Sequence, residues 1–165
     1  YSKRYNIGVN NCSFWHLPPR LNKSINFKNY ITFTVVRNPY KRIISEFNWK
    51  GFPHQYKSKK YTSSFNDINQ FIKQIDTNNY DGDCHLLPQW KYLTDAYNNK
   101  IENILHQENL IYELQQFIKK YHLNIKISNH KQNSKIRNYT LNDLSADSKK
   151  IIRQKYNDDF VLLGY

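Results

Sequence analysis

Residues 30–36 read YITFTVV and residues 37–47 read RNPYKRIISEF. The first run is crowded with β-branched and aromatic residues, the composition of a buried strand. In the second, Pro39 suits the first turn of a helix. Tyr40, Ile43, Ile44 and Phe47 then recur at i, i+3, i+4 and i+7, the spacing of a helix with one face on a core. So 30–49 predicts strand, sharp turn, helix, with an arginine left at the junction. A strand that delivers an arginine to a helix mouth makes an anion site. The first N–H groups of a helix are unpaired and its dipole is positive at that end. The guanidinium of Arg37 adds a planar fork of donors matched to phosphate oxygens. Lys41 and Ser45 stand at i and i+4 and share a face, and Arg42 lies beside it. The plainer alternative is that Arg37 pairs with a carboxylate or packs its stem.

The rest of the chain supplies further elements. SFNDINQFIKQI (64–75) predicts a helix with Ser64 as N-cap and Phe65, Ile68, Phe71, Ile72 and Ile75 on one face. KIENILHQ (100–107) predicts a short strand. NLIYELQQFIKKYHL (109–123) predicts a helix with Leu110, Leu114, Phe117, Ile118 and Tyr121 on one stripe. Ser145 is placed to cap a last helix through about Tyr156. Basic or irregular loops are expected at 50–64, 76–90 and 128–138. Strand, helix and loop alternate without repeat or linker, so residues 1–165 read as a single α/β domain.

Charge narrows the partners. The chain has 25 Lys and Arg against 13 Asp and Glu, a net charge of +12. Such a field draws polyanions: nucleotides, nucleic acid, sulfated or phosphorylated glycans, acidic headgroups. Abundant Asn, Ile, Lys and Tyr also fit AT-rich codon usage, which would raise Lys without any partner. No apolar run approaches the ~20 residues of a membrane span. The two cysteines, Cys12 and Cys84, make neither a disulfide framework nor a zinc site. The chain has no Met and starts at Tyr1, so it is expected to be an excerpt or a processed product.

The segment TVVRNPYKRIIS resembles the 3′-phosphate-binding motif of sulfotransferases that use 3′-phosphoadenosine 5′-phosphosulfate, a strand followed by R-x-P-x-x-R-x-x-S. The matching residues are Arg37, Pro39, Arg42 and Ser45. Four more segments follow in the family's order. DCHLLPQ (83–89) is similar to the D-x-H-x-x-P-Q of carbohydrate-type members, and LHQENLIYELQQF (105–117) to their strand–Glu-x-Leu–helix segment. NHKQNSK (129–135) is similar to their basic Asn-Ser loop, and QKYNDDFVLLGY (154–165) to their closing Y-x-x-D-F-x-x-x-G-Y. The resemblance implies a P-loop-kinase-like α/β fold, with a central, mostly parallel sheet flanked by helices. It implies transfer of a sulfuryl group to a hydroxyl or amine of a carbohydrate or similar acceptor, without a metal. It assigns the donor's 3′-phosphate to Arg37 and Ser45, with Lys41, Arg42, Asn133, Ser134 and Lys135 as further donor-binding candidates. The family's P-K-T-G-x-T loop, which cradles the 5′-phosphosulfate, has no counterpart around Gly8, Gly51, Gly82 or Gly164. Either it precedes Tyr1 or the chain is a non-catalytic relative.

Sulfuryl transfer needs a base for the acceptor proton, and a histidine suits that role. By resemblance His16, just before the phosphate-binding strand, is one candidate and His85 the other. A loop histidine making a backbone hydrogen bond is the plainer reading of His16, and a structural or substrate-binding role that of His85. His85, Gln89 and Glu108 are the acceptor-binding candidates, Glu108 with helix capping as its simpler reading. Asp81 and Asp83 look like turn chemistry rather than a metal site. The competing function is a basic module for nucleic acid or polyanionic glycan without chemistry. The resemblance leaves the compartment open: Golgi lumen if the source is eukaryotic, cytoplasm if bacterial or viral.

Overall fold

The computed structural model describes residues 4–7, 10–13, 16–49, 67–77, 84–128 and 138–165. Its elements in chain order are β1 (Arg4–Ile7), β2 (Asn10–Ser13), β3 (Phe33–Val36), α1 (Pro39–Asn48), α2 (Ile68–Thr77), β4 (Asn103–His106), α3 (Leu110–Lys120), α4 (Ala146–Lys155) and α5 (Asn157–Leu162). They fall into two compact units, one drawn from residues 1–17, 38–90 and 134–165, the other from 18–37 and 91–133. Helices and a parallel strand pair are the α/β arrangement the sequence predicts.

The first unit is mainly helical. Its core joins Ile43, Ile44 and Phe47 of α1 to Ile68, Phe71, Ile72 and Ile75 of α2, and to Ile152, Tyr156 and Phe160 from the C-terminal helices. These are the apolar stripes that the helical period marked. Phe47 is fully buried, stacked on Phe71 at 5.4 Å and edge-on to Tyr139 at 5.1 Å. Caps fix where each helix starts. The Asn38 side chain accepts the N–H groups of Tyr40 and Lys41 at 3.0 and 3.4 Å, with Pro39 at the first helical position. Asp67 accepts from Asn69 and Gln70 at 2.8 and 3.1 Å, so α2 begins at Ile68. The expected cap Ser64 lies outside the described residues. Ser145 accepts from Ser148 at 3.1 Å and caps α4 as its sequence position predicts. Buried Asn48 imitates a strand, donating to the Tyr139 carbonyl at 2.8 Å and accepting its N–H at 3.0 Å. At the far end, Gly164 takes φ +74°, a left-handed conformation suited to glycine, and the Tyr165 N–H returns to the Phe160 carbonyl at 3.0 Å. The antiparallel pair β1–β2, with Tyr5 opposite Cys12, has no counterpart among the sequence expectations. β1 alternates in Arg4-Tyr5-Asn6-Ile7, but it is only four residues long and β2 (Asn10–Ser13) carries no matching alternation, so the pair does not stand out as a hairpin.

In the second unit β3 and β4 pair in parallel, Phe33 opposite Asn103 and Val36 opposite His106. β3 is shorter than the apolar run 30–36, since the pairing starts only where β4 provides a partner, and it is not the buried strand expected: Val36 is buried but Phe33 and Val35 are exposed. α3 packs its buried Phe117 against Phe33 at 5.0 Å, with Tyr121 a further 5.0 Å beyond. Asn103 donates to the Thr32 carbonyl at 2.8 Å and accepts from Lys120 at 3.0 Å, tying strand start to helix end. Asp95, 1% exposed, gathers a loop around one carboxylate. It accepts the N–H of Phe27 at 2.7 Å, those of Tyr97 and Asn99 at 2.8 and 2.9 Å, and the Asn99 side chain at 2.9 Å. Burial alone would push this carboxyl up, but the Asn99 amide and the three backbone donors outweigh it and hold it at about 2.

These contacts set two expectations for stability. Phe47→Ala lowers the unfolding free energy by about 3–5 kcal/mol in urea titration, the range for emptying a buried aromatic site. A carboxyl depressed on folding contributes stability above its ordinary 3.8 and loses it as pH falls toward about 2. The difference in urea midpoint between wild type and Asp95→Asn is therefore full above pH 3.8 and closes toward pH 2.

Candidate active site

Residues 85–90 of the helical unit have no long regular element, only parts of two short 3₁₀ turns at Cys84–Leu86 and Gln89–Tyr92. Leu86 and Leu87 are buried, so the flanking peptide groups need partners from elsewhere. Side chains from the surrounding helices supply them. Arg42 of α1 donates one guanidinium nitrogen to the His85 carbonyl at 2.6 Å and another to the Leu87 carbonyl at 2.7 Å. Tyr156 donates its hydroxyl to the Leu86 carbonyl at 2.8 Å. Asp159, fully buried, accepts the N–H groups of Gln89 and Trp90, each at 2.8 Å. Pro88 between them has no N–H to satisfy.

This grip presents His85. Its Nδ1 lies 3.3 Å from a carboxylate oxygen of Glu46, one turn along α1 from Arg42. The His16 ring meets it edge-on, with centroids 4.4 Å apart. Trp49 at the end of α1 lies 13° from parallel to the His85 ring, its centroid 6.0 Å away. Two imidazoles, a carboxylate and an indole thus share one place. Both histidines expected as base candidates are in it. Sequence reading missed Glu46 and Trp49. The spacing Arg42, Glu46, Trp49, at i, i+4 and i+7, puts all three on one helical face and would have pointed to them.

The remaining candidates are placed as follows. Arg37 follows β3 in the other unit, and the next residue, Asn38, caps α1. The N–H groups of Tyr40 and Lys41, expected to be unpaired, are already taken by Asn38, so side chains rather than peptide donors must carry any anion binding there. Lys41 and Ser45 are both exposed on α1, one turn apart, an ammonium and a hydroxyl of the kind that suits phosphate oxygens. Arg42 is committed to the two carbonyls. Gln89 is buried, with its side-chain amide 3.5 Å from Asp159. Glu108 is exposed in the turn Gln107–Asn109. The carboxylate that takes the His106 N–H, at 2.5 Å, belongs to Glu113 in the first turn of α3. Asn133, Ser134, Lys135, Asp81 and Asp83 lie outside the described residues. Among the described residues no three His, Cys, Asp or Glu side chains gather as a metal site, and no helix is long and apolar enough to cross a membrane.

Removing Arg42 strands two carbonyls. Arg42→Ala is expected to cost about 2–4 kcal/mol in urea denaturation, since both lost bonds are charge-assisted. Arg42→Lys recovers less than half of that loss, because a single ammonium cannot reproduce a fork that reaches two carbonyls.

A model of the sulfotransferase family matches residues 9–165, nearly the whole chain. No match was found among curated proteins or among solved structures. The match spans both units and all of the segments through which the sequence resembles these enzymes. The chain belongs to the sulfotransferase family.

Proposed function

We propose that the protein transfers a sulfuryl group from 3′-phosphoadenosine 5′-phosphosulfate to a hydroxyl or amine of a carbohydrate or similar acceptor. Family membership over residues 9–165 supports the transfer chemistry. The observation that carries the catalytic reading is the pair of imidazoles, His85 backed by Glu46 at 3.3 Å and met by His16 at 4.4 Å. The bound donor supplies the sulfuryl group and leaves as adenosine 3′,5′-bisphosphate. Arg37 and Ser45 hold its 3′-phosphate, on their match to the R-x-P-x-x-R-x-x-S motif. Lys41, exposed one turn before Ser45, adds positive charge on the same face of α1. Arg42 acts through structure, holding the backbone of the histidine segment.

The His16–His85 pair accepts the acceptor proton. As the acceptor oxygen forms its bond to sulfur, the bond from sulfur to the donor's phosphate oxygen breaks, and the proton passes to an imidazole nitrogen. General base catalysis by a positioned imidazole is worth ~10²–10⁴ in rate. The net charge of +12 supports an anionic donor and suits an anionic acceptor such as an acidic glycan. The same charge favours a second reading, a binding module for nucleic acid or polyanionic glycan without chemistry.

Calorimetric titration with adenosine 3′,5′-bisphosphate separates the two. The enzyme reading predicts binding that Arg37→Ala weakens by about 2–4 kcal/mol, the scale for removing a charge-assisted partner from a bound anion. Failure of the wild type to bind, or equal binding by Arg37→Ala, contradicts it. Steeply salt-dependent affinity for polyanions without binding of the nucleotide supports the module.

A further inference from the structure

We propose that Glu46 is a positioning residue. Its carboxylate accepts the Nδ1–H of His85 and so keeps Nε2 as the lone-pair nitrogen of the ring. This deepens the reading above and rests on it, because the role has catalytic meaning only if the His16–His85 pair supplies the base.

Three observations converge on it. The Nδ1 of His85 is 3.3 Å from Glu46 Oε2, and both side chains are largely withdrawn from water, at 22% and 15% exposure. A carboxylate at that distance has no proton to give when ionised, so the ring must donate. Which nitrogen carries the proton of a neutral imidazole is set by the hydrogen bond that one of them makes. Arg42, one turn earlier on α1, already holds the His85 carbonyl at 2.6 Å. The backbone of the segment is therefore placed without Glu46, and the ring contact adds a constraint of a different kind. Trp49, one turn later, lies nearly parallel to the ring. One face of α1 thus fixes the main-chain position of His85, its protonated nitrogen and its plane. Among the described residues, charged or titratable groups that face His85 include Glu46 at Nδ1, Arg42 through the carbonyl, and His16 edge-on at 4.4 Å. With its proton parked on Nδ1 the ring carries its lone pair on Nε2, a buried atom, the tautomer that serine and cysteine hydrolases fix with a carboxylate or amide behind their histidine.

The test reads the tautomer directly. Long-range ¹H–¹⁵N correlation spectra of the wild type, at alkaline pH where the imidazole is neutral, should show His85 protonated at Nδ1. Glu46→Ala should shift it toward the Nε2–H form. Glu46→Gln, nearly the same size and still able to accept, should keep Nδ1–H and covers the case in which the alanine variant does not fold. In sulfuryl transfer, Glu46→Ala should lower kcat at least about tenfold with KM little changed, and Glu46→Gln should recover part of it. An Nε2–H wild type, a tautomer indifferent to Glu46→Ala, or an unchanged kcat in a variant whose tautomer has switched would each overturn the proposal. Tautomer control in a wild type that transfers no sulfuryl group would uphold the hold of Glu46 on the ring and sink the sulfotransferase reading instead.

Discussion

An irregular stretch of chain beside a core must find a partner for every peptide group it takes out of water. Residues 85–90 meet that demand at five groups through three side chains: Arg42 for the His85 and Leu87 carbonyls, Tyr156 for the Leu86 carbonyl, Asp159 for the Gln89 and Trp90 N–H groups. Each buried group left unmade costs about 1–3 kcal/mol. Losing the two buried ones, to Tyr156 and Asp159, would already take a sizeable share of the ~5–15 kcal/mol of net stability that a whole domain commands. The candidate site therefore cannot be separated from the packing of α1, α4 and α5. Moving any of the three side chains disturbs His85.

The same solution explains sequence features that looked like mere signatures. In the closing Y-x-x-D-F pattern, Tyr156 and Asp159 stand three apart and both reach residues 86–90. Phe160, next in line, goes into the core against Tyr40 at 5.0 Å. In R-x-P-x-x-R-x-x-S the two arginines have separate fates. Arg42 holds backbone, while Arg37 follows the strand β3 and is the one that the motif assigns to phosphate. Asn38, between strand and helix, closes off the helix's own N–H donors. Any anion bound at the start of α1 would therefore have to be met by side chains, while the positive end of the helix dipole still favours an anion there.

Much of the fold was legible because it rests on local rules. The apolar stripes of α1, α2, α3 and the Ser145 cap follow from helical period and capping chemistry. Asn38 and Asp67 are legible by the same rules, as an Asn before a proline and an Asp before an apolar-periodic run. Each stands beside a louder signal, Arg37 in one case and Ser64 in the other. The hairpin β1–β2 left a weaker mark, since the alternation Arg4-Tyr5-Asn6-Ile7 is only four residues long and its partner Asn10–Ser13 is polar throughout its first half. For the site, both histidines were legible in the sequence, and the structure brings them together from positions 16 and 85. Spacing places Glu46 on the same helical face as Arg42, but it cannot say that His85 lies against that face. That contact depends on how the loop folds onto the helix, a tertiary fact with no periodic trace.

The imidazole cluster stands or falls with its service to sulfuryl transfer. The most direct measurement is single-turnover transfer of ³⁵S from labelled 3′-phosphoadenosine 5′-phosphosulfate to a panel of hydroxyl-bearing glycans, by the wild type and by His85→Ala. Label is expected on an acceptor with the wild type, and transfer slowed ~10²–10⁴-fold in the variant. Label that never leaves the donor, or a variant as fast as the wild type, would contradict the role given to His85.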